Sequence, residues 1–151
     1  MSDRFTEAVG RRLVSRASAE ELGNLSHLVV DVKRRQITSL VVGKGRKATV
    51  VDWDKVSGFG PDAVMVVDES ALRSPEGDHE QAAAGGKLEL LGKRTLSDMG
   101  NELGPVSDVV FDPEKGGLET LVIGDREVEA SSLLGAGSYA VVVRAPADAG
   151  S

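Results

Sequence analysis

The residues best suited to chemistry are few and scattered. There is no cysteine, so disulfides, thiolate metal ligation and thiol catalysis are excluded, and the two histidines are His27 and His79. A zinc site needs three or four converging ligands, and neither imidazole has a local set beside it. His27 falls in mid-strand, where its repeat counterpart is Asp108, and a face that accepts either is expected to meet solvent. A serine nucleophile needs a base and an orienting acid, and no G-x-S-x-G elbow occurs. Gly43-Lys44-Gly45-Arg46-Lys47 looks like a phosphate loop, but it lacks the G-x-x-x-x-G-K-[ST] spacing and no helix follows to present its amides, so it reads as a basic hairpin turn. Lys33-Arg34-Arg35 is a second basic turn, at the opposite end of the strand 37–42 and about 20 Å away. Glu127 and Glu129 flank Val128 and share one strand face. Such a pair could hold a cation or move a proton, but the wet face of an amphipathic strand is the simpler reading. No catalytic, cofactor-binding or metal-ligating residue is expected, and no cofactor.

What must position these residues is a duplicated scaffold. Residues 21–43 align without gaps on 102–124, with nine identities: Glu21/Glu102, Leu22/Leu103, Gly23/Gly104, Ser26/Ser107, Val29/Val110, Asp31/Asp112, Leu40/Leu121, Val41/Val122 and Gly43/Gly124. Unrelated segments of this length share about one or two, so the chain contains an internal repeat. Each copy is an apolar, β-branched run, a polar turn and a second such run, which predicts a hairpin. Asp31 and Asp112 sit beside those turns, where a carboxylate usually accepts from nearby backbone amides.

The repeat extends outwards. Residues 5–14 parallel 87–96, predicting a strand-like lead-in of apolar-Gly-basic-basic pattern, while residues 1–4 are expected to be loose. Residues 56–66 align on 133–143, and 54–57 and 131–134 suggest single helical turns capped by Asp54 or Ser131. Two units of about 60–65 residues follow, at 5–69 and 87–144, each too small to bury much core alone. They are expected to be self-contained sheets around separate cores, packed on each other about an approximate twofold or on another chain, a homodimer included. Residues 70–86 have the Pro/Gly/Ala texture of a linker, with Asp78, Gln81 and Gly85 placed to start and stop one short helix. Residues 145–151 read as a disordered tail.

Hydrophobic content of 40% and 28% charge suit a soluble globular chain, and five aromatic residues leave the core to aliphatic packing. No apolar run is long enough for a signal peptide or a membrane span, so a cytoplasmic setting is expected. The net charge of −6 is uneven, about +1 over residues 1–69 and −7 over 70–151. Overall acidity argues against general nucleic-acid binding. Trp53, the sole tryptophan, has Ala130 as its counterpart, which marks it as a core or interface anchor of the first unit alone.

The Gly10-Arg11-Arg12 and Gly92-Lys93-Arg94 lead-ins, the Leu22-Gly23 and Leu103-Gly104 turn ends, Val29-Val30-Asp31 and Val110-Phe111-Asp112, and Leu40-Val41-Val42-Gly43 and Leu121-Val122-Ile123-Gly124 resemble the PRC-barrel domain. The resemblance covers nearly the whole chain as two tandem copies. It implies an all-β fold of two small, partly closed barrels of five to six short strands with short helical turns. It also implies a protein-binding or assembly role rather than catalysis, since the family has no shared catalytic residue. The expected function is a non-enzymatic adaptor that binds another protein by strand addition or around Trp53 and Phe59, with the basic turns Lys33, Arg34, Arg35 and Lys44, Arg46, Lys47 as further contacts. The alternative is an RNA- or ribosome-linked assembly factor similar to the barrel domain of RimM-type maturation factors.

Overall fold

The computed structural model describes residues 2–145; the expected tail lies outside them apart from Ala145. β1 (Asp3–Arg4) and α1 (Phe5–Ala8) come first, followed by β2 (Arg12–Ser15), β3 (Glu21–Asp31), β4 (Gln36–Val42), β5 (Thr49–Asp52), β6 (Val56–Phe59) and β7 (Ala63–Val66). α2 (Gly77–Ala84) lies in the linker. The second repeat supplies β8 (Arg94–Ser97), β9 (Glu102–Phe111), β10 (Leu118–Ile123), β11 (Arg126–Glu129), β12 (Leu133–Ala136) and β13 (Val141–Val143). The fold is all-β in two sheets. The first repeat is ordered β5-β4-β3-β2-β7-β6 and the second β11-β10-β9-β8-β13-β12, the same path strand for strand. In both, the lead-in strand pairs in parallel with the closing strand.

The repeated residues make repeated bonds. The Ser26 hydroxyl donates to the carbonyls of Val41 (3.1 Å) and Gly43 (2.7 Å), and Ser107 donates to those of Val122 (3.1 Å) and Gly124 (2.9 Å). That shared clip at the strand end is why both positions are serine. The Asp31 carboxylate accepts from the Lys33 and Arg34 amides and Asp112 from the Glu114 amide, the turn-forming role expected of both.

The amino-terminal segment departs from expectation. Residues 3–4 are not loose but pair with Val110 and Phe111 of β9, and Phe5–Ala8 is one helical turn rather than strand. Phe5 and Ala8, three apart on that turn, are both buried. This segment belongs to the first repeat by sequence yet docks on the second. Asp108 holds it there, accepting from the Thr6 amide (3.2 Å), the Thr6 hydroxyl (2.9 Å) and the Arg4 guanidinium (3.3 Å). The corresponding segment of the second repeat crosses the other way. His27, the counterpart of Asp108, lies with Nδ1 3.6 Å from the Glu89 carboxylate and its side chain only 19% exposed. The expectation that His27 meets solvent is therefore corrected: at both positions a polar side chain faces a crossing segment.

Because the lead-ins are exchanged, the cores do not separate. One buried cluster takes Leu13, Leu25, Ile37, Leu40 and Val64 from the first repeat and Val109, Phe111, Leu121, Leu133 and Val141 from the second. Phe111 forms edge-to-face contacts with both Phe5 (5.5 Å) and Phe59 (5.4 Å) of the other half. Two self-contained cores were expected; one shared core is found, and units of this size leave too much apolar surface uncovered to stand apart. The hairpin turns also join, with the Ile37 amide donating to the Gly116 carbonyl and the Leu118 amide to that of Arg35 around the bridge Gln36–Gly117.

The linker is structured. Its helix begins one residue before Asp78, after Glu76, without a side-chain cap on that residue; instead the Glu80 carboxylate accepts the Glu76 amide at 2.8 Å. Ala83, Ala84 and Leu88 cover Val29, Val41 and Ala48 on the outer face of the first sheet. The predicted helical turns beside the fourth strands are 3₁₀ turns at Trp53–Lys55 and Ala130–Ser132, one residue early and uncapped by side chains.

Candidate functional site

Where the two repeats meet, β6 and the turn after β5 face α1 and the β9–β10 turn across an open groove of about 680 Å³. Trp53, Phe59, Pro61 and Pro113 form apolar walls, with Asp3, Glu7, Arg11 and Glu114 among the polar lining. Trp53 and Phe59, the two expected contact residues, are brought together with ring centroids 5.5 Å apart, both half-buried. Phe59 is held from below by Phe111 and from the side by Arg11, whose guanidinium lies 5.3 Å from the ring centroid. That buried cation is paired to Asp3 through two hydrogen bonds of 2.7 and 3.2 Å. Burial pushes the Asp3 carboxyl up, but the Arg11 hydrogen bond, the Arg4 amide and the Arg11 charge outweigh it and hold it below its ordinary 3.8.

Trp53 is also an internal anchor. A side-chain carbon added at Gly116, which lies at φ +78°, would come within 2.7 Å of the Trp53 ring and 2.6 Å of Gln36 Nε2. The equivalent junction inverts the sizes. Gly116 corresponds to Arg35 (φ +52°) and Trp53 to Ala130, which is buried. Arg35 fills its junction by donating from Nε (3.3 Å) and a terminal nitrogen (3.0 Å) to the Leu133 carbonyl. Large against small at one joint becomes small against large at the other.

Arg35 is thus engaged within the chain, while Lys33 and Arg34 of the same turn are exposed. Lys44, Arg46 and Lys47 are exposed on a turn that takes no part in the aromatic groove's lining. Lys44 and Arg46, together with His27, Pro75 and Gln81, line a second groove of about 710 Å³ below α2. The basic residues and the aromatic pair therefore belong to different surfaces. Arg11, Asp3 and Pro113 were not expected as site residues; the retained cation at Arg11 and Lys93 was the available signal. Lys93 donates to the Lys87 and Gly137 carbonyls, and burial pushes its ammonium below its ordinary value against the pull of Glu89.

Among the described residues no three His, Asp or Glu side chains gather as a metal site, and no helix is long and apolar enough to cross a membrane. No protein-family model and no curated protein matches this sequence.

Proposed function

We propose that the protein is a non-catalytic, cytoplasmic binding module built from two interlocked PRC-barrel-like units, and that it docks another protein in the groove at their junction. The observation that carries this reading is the Trp53–Phe59 pair, presented half-buried in a cleft with proline walls, its Phe59 ring fixed from behind by Phe111 and Arg11. Rigid aromatic anchors in a partly desolvated pocket are the usual centre of a protein interface. The family part of the reading rests on the resemblance of the repeated motif residues; the identical strand paths of the two sheets support the duplication.

Ser57 lines this groove and is exposed, so Ser57→Arg obstructs the cleft without entering the core. In affinity capture from nuclease-treated native lysate, the wild type retains a defined protein that the variant loses, with the thermal midpoint unchanged. Capture that is equal for both proteins, or that disappears with nuclease or rising salt, contradicts the reading; the latter outcome supports the RNA-linked alternative.

A further inference from the structure

The duplicated sheets end differently. In the first repeat the outer edge of β5 is covered: the Val50 amide donates to the Arg73 carbonyl (2.7 Å) and the Arg73 amide to that of Val50 (3.0 Å). The Arg73 guanidinium reaches the Asp52 carboxylate at 2.7 Å and clamps Glu80 of α2 through bonds of 2.7 and 2.5 Å. Leu72, the residue before it, packs inwards on the shared core, and Val51 beneath is fully buried.

β11 is the same strand of the second repeat. Thr120 pairs with Glu129 and Val122 with Glu127 as Ser39 pairs with Asp52 and Val41 with Val50, so Glu127 stands at Val50 and Glu129 at Asp52. The Glu127 amide and carbonyl consequently point away from the sheet, and among the described residues no segment pairs with that edge. Val128, the counterpart of Val51, is left partly exposed, as are Val110 and Val122 on the outer face.

We infer that the outer edge of β11 is a docking site for an extended segment of another protein carrying an apolar residue followed by arginine, seated as Leu72-Arg73 is seated on β5. The backbone pairs with Glu127, the apolar side chain covers Val128, and the guanidinium meets Glu129, with Glu127 adding a second carboxylate on the same face. Unpaired edges tend to recruit strands, and charge decides which. Two copies of this chain joined edge to edge would set these carboxylates against their own kind. A basic strand is matched to them. This inference rests on the binding-module reading but uses a surface distinct from the aromatic groove.

The probe is a capped hexapeptide with the sequence of residues 70–75, SALRSP, titrated into the ¹⁵N-labelled full chain. Saturable amide shifts confined to 126–129 and the adjoining part of β10 are expected. Glu129→Lys weakens binding about two- to fivefold, the range of an exposed ion pair, and a peptide with glutamate in place of arginine regains affinity for that variant. No saturable shift, shifts centred on 49–52, or equal affinity for the arginine and glutamate peptides overturns the inference. If the peptide fails while Ser57→Arg still abolishes partner capture, the edge proposal falls and the groove reading stands.

Discussion

The inverted packing at the two junctions makes a quantitative prediction about Gly116 and Trp53. Gly116→Ala places a side chain at φ +78°, which costs an L-residue about 1–2 kcal/mol. The same atom lies 2.7 Å from the Trp53 ring, so the ring must shift, adding about 1 kcal/mol for the strain of overpacking. Trp53→Ala removes a half-buried ring and is expected to destabilise by about 2 kcal/mol, below the 3–5 of a fully buried one. In the double variant the added methyl enters space the ring has left, so the overlap with Trp53 disappears, while the backbone strain and the 2.6 Å approach to Gln36 Nε2 are common to the single and double variants. The combined loss then falls short of the sum by about 1 kcal/mol, within the range seen for contacting residues. Urea unfolding followed by circular dichroism, which does not depend on the lost tryptophan, measures this as midpoints at constant slope. Gly116→Arg with Trp53→Ala, which copies the Arg35–Ala130 solution, is expected to be more stable than Gly116→Arg alone. Additivity within about 0.3 kcal/mol would refute the argument that the two residues share one joint.

Three further outcomes follow from other contacts. Ser26→Ala, which leaves two inward carbonyls without their buried donor, lowers stability by about 1–2 kcal/mol, and Ser107→Ala, at an exposed position, by less; paired urea midpoints check the ranking. Asp108→Ala releases the amino-terminal segment, so amide exchange at Phe5–Ala8 accelerates while the β3–β4 hairpin stays protected. The Glu80 carboxyl is held below its ordinary 4.5 first by the Arg73 hydrogen bond, against opposing burial. Its folded value being depressed, its contribution is complete above pH 4.5 and disappears as pH falls through the lower folded value. Thermal midpoints of the wild type therefore fall more steeply with acid than those of Glu80→Gln, and parallel curves would dissociate Glu80 from acid sensitivity.

The hairpins and the succession of strands along the chain were legible because they rest on local signals: β-branched runs, Asp-started turns, and a duplication that places Ser26 and Ser107 in equivalent bonds. The order of strands within each sheet, with its parallel pair, carries no such signal. The lead-in segments were misread because their apolar residues, Phe5 and Leu90, look like strand starts for their own repeat, and nothing local says that each crosses to the other sheet. Leu72-Arg73 was hidden for a related reason. Two residues that pair with an edge leave no period in the sequence, and the surrounding Ser, Pro and Gly have the composition of a linker. Trp53 and Phe59 were visible as unmatched aromatics in a chain with few. Their support comes from Asp3 and Arg11 of the amino-terminal lead-in and Pro113 of the β9–β10 turn, two segments far from them in sequence whose convergence depends on the exchanged lead-ins.

The central claim is that two duplicated halves, interlocked by those exchanged segments, form a single cooperative body. Equilibrium urea unfolding tests it with one probe in each half: Trp53 fluorescence for the first repeat, and the methyl resonances of Leu121 and Val141 for the second. Coincident midpoints and slopes are predicted, because the buried cluster cannot lose one half's residues without exposing the other's. Second-repeat methyl signals that keep their native positions after the tryptophan transition is complete would contradict it.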